Sequence, residues 1–497
     1  MNTKVSVQSS ADGEQDTPRQ FHRTMGLISN FSLGFTYLSP LSGVYALFAF
    51  ALALAGPPAM WWILIVGAGQ MLVALIFGEV ASQYPITGGL YPWCRRLWGR
   101  RYAWLAAWVY LWANVVMITS VAQYSTTFIG TLFGFKINAE TGLLTAGAVL
   151  LVAMAFNMSG TKTLARVARL GFWCEIIGVI ALGIYLLVFH RVNDFSVLFD
   201  TFGMLASDGS YYSAFLAASL LGLYMFFGFE ACGNVAEEVQ NPSRGIPKAM
   251  ILSIVFGAIS AIISFAGYLL AAPSLKDIVN GQITDPIPVI LNEALGDWGA
   301  KGFLVIAIIA FLSCVLSLQA AVSRLIFSFA RDQMLPASKW LSTLSNNAVP
   351  NNAMLVSCAA PLLICFWIYL QPDNLNRITA FAVVGVYLSF MMVVFAALRK
   401  RLQGWKPGGE WTLGSWGILV NIAALVYQVA AVFLLVSPVQ GDLPWYDRWV
   451  VITGLSVVLG VGFIYMFSAR PYGRSNALEN DAIEHANKLR ASRSASL

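Results

Sequence analysis

The residues with the most chemical character lie inside an apolar run. Between Gly222 and Ala249 the chain reads GLYMFFGFEACGNVAEEVQNPSRGIPKA. Its middle, Phe227-Gly228-Phe229-Glu230-Ala231-Cys232-Gly233-Asn234, sets two glycines, a carboxylate and an amide within what begins as a membrane span. An ionisable side chain near a bilayer centre costs roughly a few kcal/mol, so it faces a partner or a water-filled cavity. Glycines let a helix unwind, and unwound backbone is tolerated in a membrane only where protein or water satisfies its polar groups. The pattern predicts a broken helix lining a solute site, as in secondary transporters. The plainer alternative is a kinked span whose Glu230 packs against a neighbouring helix.

Other polar residues are scattered through apolar surroundings. Glu79 stands near a membrane edge, where a charge is cheaper, and its expected role is an interfacial pair with a loop arginine. Glu175, in Phe172-Trp173-Cys174-Glu175-Ile176-Ile177-Gly178, either reaches back to the interface or faces the bundle as a proton or cation site. Ser313, Ser317 and Ser323 place two hydroxyls at i and i+4 on one helix face. They either help ligate a cation or bond to backbone carbonyls. Three histidines and no pairing of a nucleophile with a base argue against an enzyme, so no catalytic residues are assigned. Cys94, Cys174, Cys232, Cys314, Cys358 and Cys365 have neither metal-ligand nor disulfide spacing. No metal and no cofactor are expected.

The elements that must position these residues are membrane helices. The chain has 497 residues, 58% hydrophobic and 11% charged, with mean hydropathy +0.70. A soluble domain carries about a quarter charged residues. An all-α polytopic membrane protein is implied. The net charge of +6 suggests no nucleic-acid partner, because the basic residues sit in short loops. The first 24 residues are polar and lack an apolar core, so no cleavable signal peptide is expected. Spans need about 20 apolar residues. Twelve are expected, near 26–55, 58–82, 103–133, 141–158, 167–189, 211–239, 247–272, 300–330, 353–370, 376–398, 412–437 and 446–468. Residues 286–299 read as a short surface helix before the eighth. Basic residues crowd alternate loops, as in Arg95, Arg96, Arg100 and Arg101 or Arg399, Lys400, Arg401 and Lys406. The intervening loops carry single ones, such as Lys136, Arg191 and Lys276. By the positive-inside rule both termini are cytoplasmic in a plasma or bacterial inner membrane.

The first span is interrupted by Ser39-Pro40-Leu41-Ser42-Gly43. Pro40 has no N–H and clashes with the preceding turn, so the helix should break there. Span 1 opens one block of five spans and the glycine-broken span 6 opens the next. Five is odd, so the second block enters from the opposite side. This is the arithmetic of an inverted-topology repeat with its site between the halves. The expected parts are a cytoplasmic tail (1–24), a first five-helix repeat (25–190), an extracellular loop (191–210) and a second repeat (211–402). Two extra helices (403–468) and a C-terminal tail (469–497) follow.

Three features together resemble the amino acid–polyamine–organocation (APC) permeases. They are the interrupted first span, the loop Pro85-Ile86-Thr87-Gly88-Gly89-Leu90-Tyr91, and Gly228-Phe229-Glu230 leading into Glu237-Glu238-Val239-Gln240-Asn241-Pro242-Ser243-Arg244-Gly245-Ile246-Pro247-Lys248-Ala249. The last run is similar to the family's E-E-x-x-N-P-x-R-x-x-P-[KR]-A pattern. The Ser-Pro-Leu-Ser-Gly break is nearest the amino acid and choline branch, which includes GABA permeases. The resemblance implies a LeuT-like 5+5 inverted repeat plus two C-terminal helices. It implies that Ser39, Leu41, Ser42 and Gly43 face a substrate carboxylate, and that Phe227, Gly228, Phe229 and Glu230 face its amine and side chain. Pro40 and a single Gly43 depart from the glycine-rich first break of many members. That leaves fewer N–H groups for an anion. Glu175 departs from a lysine that can stand at the matching position, where relatives hold sodium.

The expected function is a permease for amino acids or related amine-bearing solutes, working by proton-coupled symport or exchange. Phe227, Phe229 and Tyr124 are expected to gate the site or to stack on an organic cation. Coupling-ion candidates are Glu175, Ser313 and Ser317. The expected partners are a small amine or amino acid, a proton or cation, and the bilayer. The rival reading is a nutrient sensor that binds without efficient translocation, which the short tails disfavour.

Overall fold

Backbone polar groups inside a bilayer must find partners within their own segment, so apolar runs of this length fold as helices. The computed structural model describes residues 21–206, 209–283, 285–371, 375–437 and 445–494. Most of the expected tail at 1–24 lies outside them. Among the described residues, eleven helices are long and apolar enough to cross a membrane, and Tyr211–Met225 is a shorter apolar helix. The chain is thus an all-α, multi-pass membrane protein.

The first expected span is two helices, α1 (Leu27–Leu38) and α2 (Pro40–Ala55). Then come α3 (Trp61–Gln83), a short α4 (Leu90–Leu97), α5 (Arg100–Phe133) and α6 (Ala139–Met158). The fifth span is α7 (Thr161–Glu175), a π-helical stretch (Ile176–Ala181) and α8 (Leu182–Phe189). The sixth is fragmented into α9 (Tyr211–Ala217), α10 (Leu220–Met225) and α11 (Ala231–Asn234). It therefore does not count as one long helix, which accounts for the difference from the expected twelve. Next are α12 (Pro242–Ala271), α13 (Leu275–Val279) and α14 (Pro286–Arg331). Within α14, Gly296 has φ 65° and ψ 175°, so the expected short helix before span 8 is separated from the span itself. The rest are α15 (Ser338–Leu341), α16 (Asn351–Leu370), α17 (Leu375–Leu402), α18 (Gly417–Val436), α19 (Trp445–Arg448), α20 (Val450–Ala469) and α21 (Ala482–Ser494).

The centre of the bundle is α5, packed against α14 and α17, while α18 and α20 lie at the periphery with most of their surface exposed. Small residues let helices approach closely where no hydrophobic effect drives them together. A Cβ added at Gly267 of α12 would stand 2.8 Å from the carbonyl oxygen of Gly183 on α8. These two helices cross backbone to backbone.

The arginine-rich end of the bundle is tied by buried ion pairs. Arg324 donates from Nε to Glu238 Oε1 at 2.8 Å and from Nη2 to Oε2 at 3.3 Å, and both side chains are fully buried. Thr161 Oγ1 donates to Glu238 Oε2 at 2.5 Å. Arg331 pairs with Glu237, whose Oε1 also accepts from Thr87 N at 3.2 Å. Met25 N donates to Glu238 O at 3.0 Å, and Gln240 N to Met25 O at 2.8 Å. The start of α1, the loop after α3, the start of α7, the segment after α11 and the end of α14 thus converge. Glu79 is the paired residue that its position suggested. It accepts from Arg401 and from Leu413 N, anchoring the chain between α17 and α18.

The C-terminal helix α21 docks on this end. Ala482 and Ala486 are fully buried. Gln83 Nε2 donates to Ala482 O at 2.9 Å, Arg96 pairs with Asp481 at 2.6 Å, and Arg100 pairs with Glu479 at 2.9 Å. His485 stacks on Tyr84 at 5.1 Å. Burial, and then the nearby Arg96 charge, push the His485 pKa below its ordinary value, against an opposing pull from Asp481.

Two outcomes follow from these contacts. Breaking a buried pair leaves an uncompensated charge worth about 3–5 kcal/mol, whereas removing both partners is far cheaper. Arg324→Met should therefore lower thermal stability in detergent sharply, and adding Glu238→Gln should restore most of it. A histidine with a depressed folded-state pKa binds fewer protons docked than free, so its contribution is present above about pH 6.5 and lost as pH falls. The protection of α21 amides relative to their intrinsic exchange rates should fall between pH 7.5 and 5.5, and His485→Phe should flatten that dependence.

Candidate functional site

The first interruption is a single residue in a left-handed conformation. Ser39 has φ 45° and ψ 77°, ends α1 and caps α2. Pro40 at the first position of α2 cannot donate an N–H, so the helix restarts there and does not run through. Ser39 Oγ donates to Glu175 Oε1, and Leu41 N donates to Glu175 Oε2 at 3.1 Å. Ser42 N donates to Ser39 Oγ at 3.4 Å, and Ser42 Oγ to Ser39 O at 3.0 Å. Glu175 is fully buried, so of its two expected placements it has the one facing the bundle. It ends α7 where the π-helical stretch begins, and π-bulges are frequent at functional sites.

The second interruption lies against the first span. Gly228 has φ +110°, a conformation that side chains disfavour, and a Cβ there would stand 2.7 Å from Leu38 N. Only glycine permits this approach of backbone to backbone. A Cβ on Gly43 would meet Met225 Cγ at 2.7 Å, so both sides of the first break touch the sixth span. Glu230 turns back on its own loop. Its Oε2 accepts from Gly228 N at 2.7 Å and its Oε1 from Tyr110 Oη at 2.8 Å. Asn234 Nδ2 reaches Tyr110 Oη at 3.5 Å. Tyr37 Oη donates to Asn114 Oδ1, and Asn114 Nδ2 donates to Tyr110 O at 2.8 Å. Tyr110 and Asn114 are four apart on α5 and present both groups on one face. Nothing in the sequence reading marked Tyr37, Tyr110 or Asn114; a tyrosine and an amide at i and i+4 on a central span were the available signal.

The structure divides the expected site residues. Ser39, Leu41, Ser42 and Gly43 meet Glu175 and the sixth span, and Gly228 and Glu230 meet α1 and α5. The Phe227 ring contacts Tyr37 at 6.2 Å and Tyr224 at 5.7 Å. Phe229 points elsewhere, between Phe77 and Phe390 at 5.7 and 5.5 Å. Tyr124 contacts Tyr224 at 6.5 Å and donates to Thr379 Oγ1 at 3.4 Å. Ser317 Oγ bonds Thr36 Oγ1 at 2.9 Å, and Ser313 Oγ donates to Val167 O at 3.3 Å.

A cavity of about 320 Å³ opens at the end of the bundle opposite the arginines, lined among others by Tyr45, Tyr124, Phe128, Asp285 and Phe311. Neither Glu175 nor Glu230 lines it. The rings of Tyr124, Tyr224, Phe227 and Tyr37 form a continuous chain from its wall to the second interruption. Both buried carboxylates lack an ion-pair partner among the described residues, and no group of His, Cys, Asp or Glu there is arranged to hold a metal. The arrangement sets aromatic rings and a buried acid side by side, closed off from the cavity by the ring chain.

Comparison with known proteins agrees with this architecture. The family model described as "Amino acid permease" matches residues 25–463. The amino-acid permease BAT1 of Arabidopsis thaliana is 26% identical over 457 residues, covering 85% of this chain and 86% of the relative. An uncharacterized amino-acid permease of Schizosaccharomyces pombe is 26% identical, covering 90% of this chain and 85% of the relative. The choline transporter of Saccharomyces cerevisiae is 25% identical, covering 88% of this chain and 79% of the relative. With the match spanning nearly every described helix, the chain belongs to the amino acid permease family of the APC superfamily.

Proposed function

We propose that this transporter carries amino acids or related amine-bearing organic solutes by alternating access, as a proton-coupled symporter or an exchanger. The observation that carries the reading is the contact of the two interrupted spans. Gly228 rests on the Tyr37–Leu38 backbone. A buried acid sits at each break, Glu175 at one and Glu230 at the other. A positively charged nitrogen is the group common to amino acids and choline, the solutes in the relatives' names. Glu230 supplies its counter-charge, and Tyr37 and Phe227 supply ring faces for a cation–π contact. Glu175 is the leading candidate for the coupling proton. Ser313 and Ser317 are weaker candidates, because each already has a protein partner.

The distribution of Lys and Arg supports a cytoplasmic arginine-rich end with both termini on that side. The cavity beside Asp285 then faces outward, and the Glu238–Arg324 and Glu237–Arg331 pairs form the closed inner side. Inward opening would separate these pairs. The half-helices on either side of each break are the natural rocking elements, because an interrupted helix bends without losing ladder hydrogen bonds.

The direct test is uptake of a labelled amine and amino acid panel into proteoliposomes. Accumulation driven by an inward pH gradient is expected for a symporter, and solute-for-solute countertransport for an exchanger; transport of nothing in the panel contradicts the carrier reading. Glu230→Gln removes the counter-charge in a low-dielectric site. It should lower uptake of cationic solutes by at least about tenfold, a loss of about 1.4 kcal/mol of binding, while size-exclusion behaviour stays native. Unchanged kinetics would remove Glu230 from the site.

A further inference from the structure

The start of α2 is where an amino acid's carboxylate is expected to bind, because the first N–H groups of a helix have no partner in the helix and carry its positive end. Here every one of those donors is already used. Pro40 has none. Leu41 N donates to Glu175, Ser42 N to Ser39 Oγ at 3.4 Å, and Gly43 N to Ser39 O at 3.1 Å. The hydroxyls of Ser39 and Ser42 are spent on Glu175 and on Ser39 O. Both oxygens of Glu175 thereby accept hydrogen bonds from the break, so the chain's own carboxylate stands in the anion position.

What the centre lacks is a cation. Glu175 and Glu230 are both buried, and no Lys, Arg or His pairs with either among the described residues. Among the described residues the Tyr224 hydroxyl, buried beside the Phe227 ring, has no hydrogen-bond partner. Nor has Asn234 Oδ1, whose amide Nδ2 reaches Tyr110 Oη at 3.5 Å. Two buried acids, two orphan polar atoms and aromatic rings thus flank the breaks with no basic side chain paired to the acids among the described residues, a composition that suits an ammonium group.

We propose that Glu175 replaces the substrate carboxylate, so that the solute is an organic cation without a carboxylate: a primary amine, a guanidine or a quaternary ammonium. This deepens the carrier reading and rests on it. Glu175 acts as a specificity-determining residue. A carboxylate brought to Ser39–Gly43 would find no free N–H and, while Glu175 is ionised and has not yet taken up a coupling proton, would sit beside a like charge, a juxtaposition that interfaces use to reject wrong partners.

The test is binding by thermal shift, with uptake in proteoliposomes, for solutes paired by the presence of a carboxylate: agmatine and arginine, cadaverine and lysine, choline and glycine betaine. In the wild-type protein the member without the carboxylate should act at a concentration at least about tenfold lower in each pair that binds. Glu175→Gln should narrow that gap, and Glu175→Asp should keep it. Equal or better binding of the carboxylate-bearing members overturns the proposal while leaving the carrier reading intact. An undiminished gap in Glu175→Gln removes Glu175 as its cause. Should that variant fail to fold, the wild-type pairs still decide the substrate class. Failure of all six solutes to bind also overturns the proposal, while the carrier reading stands or falls on the wider amino acid panel.

Discussion

A helix interrupted inside a bilayer exposes backbone groups that only protein or water can satisfy, and here two buried glutamates satisfy them. Glu175 takes the Leu41 N–H at the start of α2, and Glu230 takes the Gly228 N–H in the sixth span. Each acid comes at the cost of its own desolvation, offset in part by these bonds and by Ser39 and Tyr110. The two breaks depend on each other through Gly228, whose missing side chain lets one loop lie on the end of α1. A larger residue at that position would push the sixth-span loop off the end of α1.

Function follows from the asymmetry around this seam. One end of the bundle is closed by the fully buried Arg324–Glu238 pair and by the docked α21 helix; the other holds the cavity beside Asp285. At the closed end polar contacts between different segments run beside the apolar packing of residues such as Met25, Val239 and Phe329. Such contacts can be exchanged for water when the segments part, which suits an end that must open and reclose. The chain of rings from Tyr124 to Tyr37 stands between cavity and seam, so access to the acids requires ring or helix movement from either side.

Much of this was legible in the sequence, because membrane helices announce themselves by length and apolarity. Glu230 between glycines and the Ser39–Gly43 run marked both interruptions, since proline and glycine act through local backbone chemistry. An arginine partner for Glu79 was foreseeable from its edge position, and Arg401 supplies it from the last turn of α17 and not from a loop. Other features were not, because they depend on which helices meet. The pairing of Glu175 with Ser39 joins residues 136 positions apart, and that of Glu238 with Arg324 joins residues 86 apart. The turn of Phe229 away from Phe227 follows from packing against Phe77 and Phe390, which no local pattern encodes. The polar tail beyond residue 469 gave no hint of α21 docking, because its buried face consists of alanines and its contacts are charges on distant loops.

Alternating access as proposed requires the segments joined at the arginine-rich end, the interrupted spans among them, to part during each cycle. Met25 and Val239 are paired there as neighbouring strands would be, so Met25→Cys with Val239→Cys offers a reversible lock across that end. Uptake of a transported solute into proteoliposomes, measured with the pair oxidised and then reduced, tests the requirement directly. The account predicts that oxidation stops uptake while thermal-shift binding of the solute persists, and that reductant restores transport. Full uptake with the cross-link in place would show that solute leaves by another route.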